Sequence, residues 1–133
     1  MRFHTAVNKF CWQAVMNKPL TVWKTALNQK RPYLDLVDAL SAIETVINKN
    51  LFDGEIYNVL TKNLTVKDIL SVIKLNIPNI EVLMTDSDIM NQYSYEVSVD
   101  KFIKKGFTPR GDEVKAIKET IQLLSNANSF NDK

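Results

Sequence analysis

Over the eight residues Arg31-Pro32-Tyr33-Leu34-Asp35-Leu36-Val37-Asp38, the chain passes from an extended pattern to a helical one. Arg31 and Tyr33 stand two apart on a predicted strand, Arg31–Leu36, so both side chains leave the same face. Leu36, Leu40, Ile43 and Ile47 then fall at helical spacing, with Asp38 the expected N-cap of a helix over Ala39–Asn48. A strand that feeds directly into a helix narrows the fold classes sharply. Repeated along a chain, it gives a mixed α/β fold.

The repetition is present. Phe3, Val7, Phe10, Cys11, Ala14 and Val15 mark a first helix, which Asn17-Lys18-Pro19 ends because the residue before a proline is pushed out of the helical region. Leu20–Trp23 reads as a short strand. Glu55–Leu60 is the clearest strand in the sequence, and Thr65-x-x-Asp68 after it is a capping box opening a helix with Val66, Ile69, Leu70 and Ile73 on one side. A third strand is expected at Ile80–Met84, beyond Pro78. A polar loop at Thr85–Tyr93 leads to an extended piece at Tyr95–Val97 and a short helix, Val99–Lys105, closed by Gly106. Val114, Ile117, Ile121 and Leu124 face the core from the last helix. The expected class is α/β (mixed), with few short strands alternating with helices. A single domain over residues 1–125 precedes a polar flexible tail over 126–133.

Charge and cysteine content exclude several functions. Seventeen basic and fifteen acidic residues nearly balance, and no basic block offers a nucleic-acid face. No run approaches the roughly 18 apolar residues of a membrane span, and the amino terminus lacks the apolar segment of a signal peptide. One cysteine, Cys11, excludes an intramolecular disulfide framework and fits a reducing compartment, so a cytoplasmic location is expected. One histidine, His4, with one cysteine, rules out a zinc site in the monomer. In one helix, His4 and Cys11 would lie two turns apart, about 10 Å along the axis and too far for a catalytic hydrogen bond. Cys11 is better read as a core residue. Asp86-Ser87-Asp88 lacks the glycine and the closing glutamate of a calcium loop, and Arg110-Gly111-Asp112 reads as a turn rather than an adhesion tripeptide. No catalytic residue and no metal ligand is assigned.

Arg31 and Tyr33 are the candidate binding residues. Arginine offers a planar, bidentate cation for phosphate, and tyrosine an aromatic ring for a base or sugar. The plainer alternative is a surface arginine paired with Asp35 or Asp38 beside a half-buried strand tyrosine.

The Arg31-x-Tyr33-Leu34-x-Leu36-Val37-Asp38 segment resembles that of the extended short-chain dehydrogenase/reductases, the NAD-dependent nucleotide-sugar epimerases and dehydratases. Further segments follow in the family's order from about Arg2 to Leu124: Pro19-Leu20-Thr21-Val22-Trp23, Gly54-x-x-Tyr57-Asn58-Val59, Thr65-Val66-x-Asp68-Ile69, Asp100-Lys101-Phe102 and Gly106-Phe107-x-Pro109. The resemblance is to the carboxyl-terminal, substrate-side portion of such an enzyme. It implies that Arg31 and Tyr33 hold the diphosphate of a nucleotide-sugar substrate. It also implies that NAD or NADP belongs to a missing amino-terminal Rossmann domain, and that this chain carries no cofactor.

The departures point the same way. A dinucleotide site needs a glycine-rich turn at a helix start, which Gly54, Gly106 and Gly111 do not form. The family's proton exchange needs Tyr-x-x-x-Lys, whereas Tyr33, Tyr57, Tyr93 and Tyr95 are followed four residues later by Val37, Thr61, Val97 and Val99. The loop from Met84 to Gln92 lacks the family's phosphate-gripping arginine. The chain alone is therefore expected to be inactive and to associate with itself through exposed strand edges and the apolar surface of Leu36, Leu40, Ile56 and Val59. The alternative is a stand-alone, non-catalytic binding or oligomerisation module.

Overall fold

The computed structural model describes residues 5–86 and 93–128. Its elements are α1 (Ala6–Val15), β1 (Leu20–Trp23), β2 (Lys30–Tyr33), α2 (Leu36–Asn48), β3 (Lys62–Thr65), α3 (Val66–Asn76), β4 (Val82–Thr85), α4 (Asp100–Ile103) and α5 (Glu113–Asn128), with a 3-10 turn at Lys24–Ala26. The chain divides into two compact units. One contains the chain up to Gln29, the stretch Thr65–Tyr93 and the chain from Val114; the other contains Lys30–Leu64 and Ser94–Glu113.

In the first unit β1 and β4 pair in parallel, with Leu20 opposite Val82 and Trp23 opposite Thr85. Leu20 and Val22 alternate inward along β1, and helices α1, α3 and α5 bury Phe10, Cys11, Ala14, Ile69, Ile73, Ile117, Ile121 and Leu124. Val114, expected on that face, is 44% exposed, because it belongs to the first turn of α5, ahead of the buried stripe. The capping box of α3 forms as expected: Thr65 Oγ1 accepts from Asp68 N at 3.1 Å, and Asp68 Oδ2 accepts from Thr65 N at 2.8 Å.

The second unit is built on the short sheet β2–β3 and helix α2. Its core joins Ala42, Phe102 and Phe107, with Val46, Leu51, Tyr57, Val59 and Val99 packed against them. Gly106, at φ 100°, reverses the chain after α4 so that Phe107 N donates to Phe102 O at 3.2 Å. The two rings then stack with centroids 4.7 Å apart, the hydrophobic contact that accompanies such a helix end. Asn50, at φ 51°, ends α2 in the same way, with Leu51 N donating to Val46 O at 2.9 Å.

Several local expectations are corrected here. The N-cap of α2 is Asp35, whose Oδ1 accepts from Val37 N at 3.1 Å, while Asp38 falls in the first turn and is fully buried. Strand β2 accordingly stops at Tyr33, short of Leu36.

Glu55–Leu60 is not a strand; the partner of β2 is β3. Alternation survives along that segment, with Ile56 82% exposed while Tyr57 and Val59 pack on the core. Yet among the described residues no main-chain N–H from Ile56 to Leu60 finds an acceptor. Alternation reports which face is buried, and a ladder also needs a neighbour.

The piece expected to be extended at Tyr95–Val97 lies outside the assigned strands; Tyr95 N donates to Lys30 O at 3.3 Å, and the Asn63 side chain brackets Val97 with bonds of 2.9 and 3.1 Å.

On α2 the stripe Leu36, Leu40, Ile43 and Ile47 is 73%, 56%, 59% and 60% exposed, and the inward residues are Asp38 and Ala42. Leu36, Leu40 and Ile56 thus present apolar surface, whereas Val59 is half-buried.

Candidate functional site

Strand β2 carries Arg31 and Tyr33, both half-buried, on either side of Pro32. A proline is tolerated there because a two-stranded sheet consists only of edges. Tyr33 O accepts from Thr61 N at 2.8 Å, which fixes the end of the strand. Burial raises the Tyr33 phenol above its usual value, and the Arg31 charge opposes that shift. The phenol is a neutral hydrogen-bonding group at ordinary pH.

Arg31 Nη1 donates to Lys30 O at 2.7 Å, and its guanidinium carbon lies 5.0 Å from the centroid of the Tyr95 ring. The two carboxylates weighed as its plainer partners both accept other hydrogen bonds. Asp35 caps α2. Asp38 accepts from Thr61 Oγ1 at 2.6 Å, Arg110 N at 2.6 Å and Gly111 N at 3.0 Å. Thr61 Oγ1 in turn accepts from Asp35 N at 2.8 Å. One buried carboxylate therefore ties the start of α2, the residue before β3 and the Arg110-Gly111 turn together. Gly111 is enclosed by it: a Cβ there would come within 2.7 Å of Asp35 Cβ and Asp38 Oδ2 and 2.8 Å of Thr61 Cγ2. Sequence reasoning missed Asp38 as a network centre and Tyr95 as a neighbour of Arg31. The only local signal was a second acid just inside the helix.

The remaining candidates divide clearly. Cys11 is buried in the core as expected, and burial pushes its thiol up to about 11. An unfolded-state thiol near its ordinary value ionises before the folded one does. The folded state should therefore lose stability as pH rises from about 9 to about 11, by on the order of 2 kcal/mol. Urea unfolding at pH 8 and 10.5 should show this fall, and Cys11→Ala should flatten it; equal slopes for the two proteins would refute the assignment.

His4 and most of the acidic loop, residues 87–92, lie outside the described residues. Asp86 pairs with Lys24 at 3.0 Å. Among the described residues no group of three or more His, Cys, Asp or Glu could hold a metal ion, and no helix is long and apolar enough to cross a membrane.

Tyr57 is the tyrosine that meets a lysine, with Lys101 Nζ 5.0 Å over its ring. Its hydroxyl, however, donates to Asp53 Oδ2 at 2.6 Å, and that bond, with burial and the nearby acids, pushes the phenol up to about 12. Proton exchange at neutral pH needs a shift in the opposite direction. The glycines do not fit a dinucleotide either. Gly106 closes α4, Gly54 precedes no helix, and the Gly111 N–H is taken by Asp38. Nothing in this set of glycines can cradle a pyrophosphate on backbone N–H groups.

No family model matches the chain. It is 30% identical over 116 residues to the chloroplastic UDP-sulfoquinovose synthase of Spinacia oleracea, an alignment covering 80% of this chain and 24% of that protein. In fold it is similar to the UDP-glucuronic acid 4-epimerase of Bacillus cereus, solved with UDP-glucuronic acid and NAD: the TM-score is 0.81 at 16% identity, over 96% of this chain and 41% of that one. The UDP-glucose 4-epimerase of Thermus thermophilus, solved with NAD, gives a TM-score of 0.75 at 20% identity, over 92% and 40%. The chain thus spans about a quarter of the curated relative and about 40% of these structures. The resemblance read from the sequence is borne out: the fold is mixed α/β and matches part of the extended short-chain dehydrogenase/reductase epimerases.

Proposed function

We propose that this chain is the substrate-side portion of an NAD-dependent nucleotide-sugar epimerase or dehydratase, with Arg31 and Tyr33 holding the nucleotide diphosphate. The observation that carries the reading is the pair itself, half-buried on one short strand, in a fold shared with proteins solved with a UDP-sugar and NAD. Arg31 supplies a planar fork for phosphate oxygens, and Tyr33 a neutral hydroxyl and ring. The cofactor, NAD or NADP, is assigned to a dinucleotide-binding domain that this chain does not contain. The chain by itself then binds substrate without turning it over. A single buried thiol suits a reducing, cytoplasmic setting.

A second reading, a non-catalytic binding or oligomerisation module, is favoured by the apolar face that α2 leaves exposed at Leu36, Leu40, Ile43 and Ile47. One titration separates the two. Isothermal calorimetry of the chain with UDP should show one-to-one binding, and with NAD none at millimolar cofactor. Arg31→Ala should weaken UDP binding by about 1.5–3 kcal/mol, the range for hydrogen bonds to charged groups. Arg31→Lys should recover little, because an ammonium does not reproduce the fork. A chain that binds no UDP, or one whose affinity survives Arg31→Ala with only a lowered melting temperature, belongs to the module reading.

A further inference from the structure

No motif points to Tyr95, which lies outside every helix and strand and is 52% exposed. Its backbone is nevertheless held against β2. Tyr95 N donates to Lys30 O at 3.3 Å, and Lys30 N donates to Ser94 Oγ at 3.0 Å. Lys30 Nζ pairs with Glu96 Oε1 at 2.7 Å. The residues on both sides of Tyr95 are thus fastened to Lys30, the neighbour of Arg31. That leaves the Tyr95 ring facing the Arg31 guanidinium at 5.0 Å.

We propose that Tyr95 is a positioning residue of the nucleotide site: its ring stacks on the Arg31 guanidinium and holds that cation in the orientation that receives a nucleoside diphosphate. The inference rests on the reading of Arg31 given above. An arginine side chain loses rotamer freedom on meeting a ligand. Stacking on an aromatic face removes part of that freedom beforehand. It engages the flat face of the guanidinium, while the N–H groups that bind phosphate lie in its plane. Tyr95 touches Arg31 and is not assigned a contact with the ligand itself.

The test is UDP binding by the full chain and its variants, followed by calorimetry, with side-chain NMR of Arg31. Tyr95→Phe keeps the ring and should bind like the parent. Tyr95→Leu should weaken UDP about fivefold, the size of an exposed cation–π contact, and Tyr95→Gln should do the same. The ring-current shift of the Arg31 guanidinium signals should persist in Tyr95→Phe and vanish in Tyr95→Leu and Tyr95→Gln. In an Arg31→Ala background, Tyr95→Leu should have no further effect. If Tyr95→Leu and Tyr95→Gln bind UDP as the parent does while Arg31→Ala weakens it, the positioning role is wrong and the site stands. If Arg31→Ala itself changes nothing, or the parent binds no UDP, the site reading fails and the role of Tyr95 falls with it.

Discussion

Asp38→Ala is expected to cost about 3–5 kcal/mol of stability, because three hydrogen-bond donors lose their shared buried acceptor. The carboxylate is fully buried and receives three hydrogen bonds, two of them from main-chain N–H groups. Alanine would leave the N–H groups of Arg110 and Gly111 and the Thr61 hydroxyl without their acceptor, and each orphaned buried group costs roughly 1–3 kcal/mol. Asp38→Asn should fall between, since its carbonyl can accept from the two N–H groups but its NH₂ faces the hydroxyl of Thr61. Gly111→Ala attacks the same cluster by volume. Its Cβ would meet Asp35 Cβ, Asp38 Oδ2 and Thr61 Cγ2 at 2.7–2.8 Å, closer than non-bonded atoms tolerate, and all three lie in short side chains with little room to yield. Urea unfolding would measure both. A loss below about 1 kcal/mol for Asp38→Ala would show that water replaces the carboxylate and that the site is not dry.

The second large effect concerns association. At micromolar concentration the chain alone should form dimers or larger species, seen by multi-angle light scattering. Helix α2 turns Leu36, Val37, Leu40, Ile43 and Ile47 to the outside, and Phe52 and Ile56 in the same unit are more exposed still than most of these. A row of large apolar side chains along one helix face favours burial by about 25 cal/mol for each Å² removed from water. The segment Ile56–Leu60 adds main-chain N–H groups with no acceptor among the described residues, which can pair with another extended chain. Leu40→Lys with Ile43→Lys should restore the monomer without lowering the melting temperature, because both residues are more than half exposed in the fold. A monodisperse parent chain would sink this expectation. So would a double variant that unfolds.

What could be read from the sequence depended on range. The capping box Thr65–Asp68 and the turn at Gly106 are decided within a few residues, and both are found where their residue types put them. The N-cap of α2 shifted from Asp38 to Asp35 because both acids suit a helix start. The choice between them is made by Thr61, Arg110 and Gly111, between 23 and 73 residues away. Glu55–Leu60 has strand composition and alternation, but a strand needs a partner that no local pattern reveals. The candidate site shows the same division. Arg31 and Tyr33 stand out by their spacing, whereas Tyr95 enters through the chain's return beside Lys30, 64 positions from Ser94.

The burial of Cys11 has a practical consequence for spectroscopy. Only the thiolate reacts with maleimides, and a thiol near 11 has roughly one molecule in ten thousand ionised at neutral pH, against a few per cent for an ordinary exposed cysteine. Cys11 is also sterically sealed, at 0% exposure. A reporter cysteine introduced at a surface position such as Ile56 can therefore carry a fluorophore or spin label selectively, with the native thiol left in place as a silent spectator.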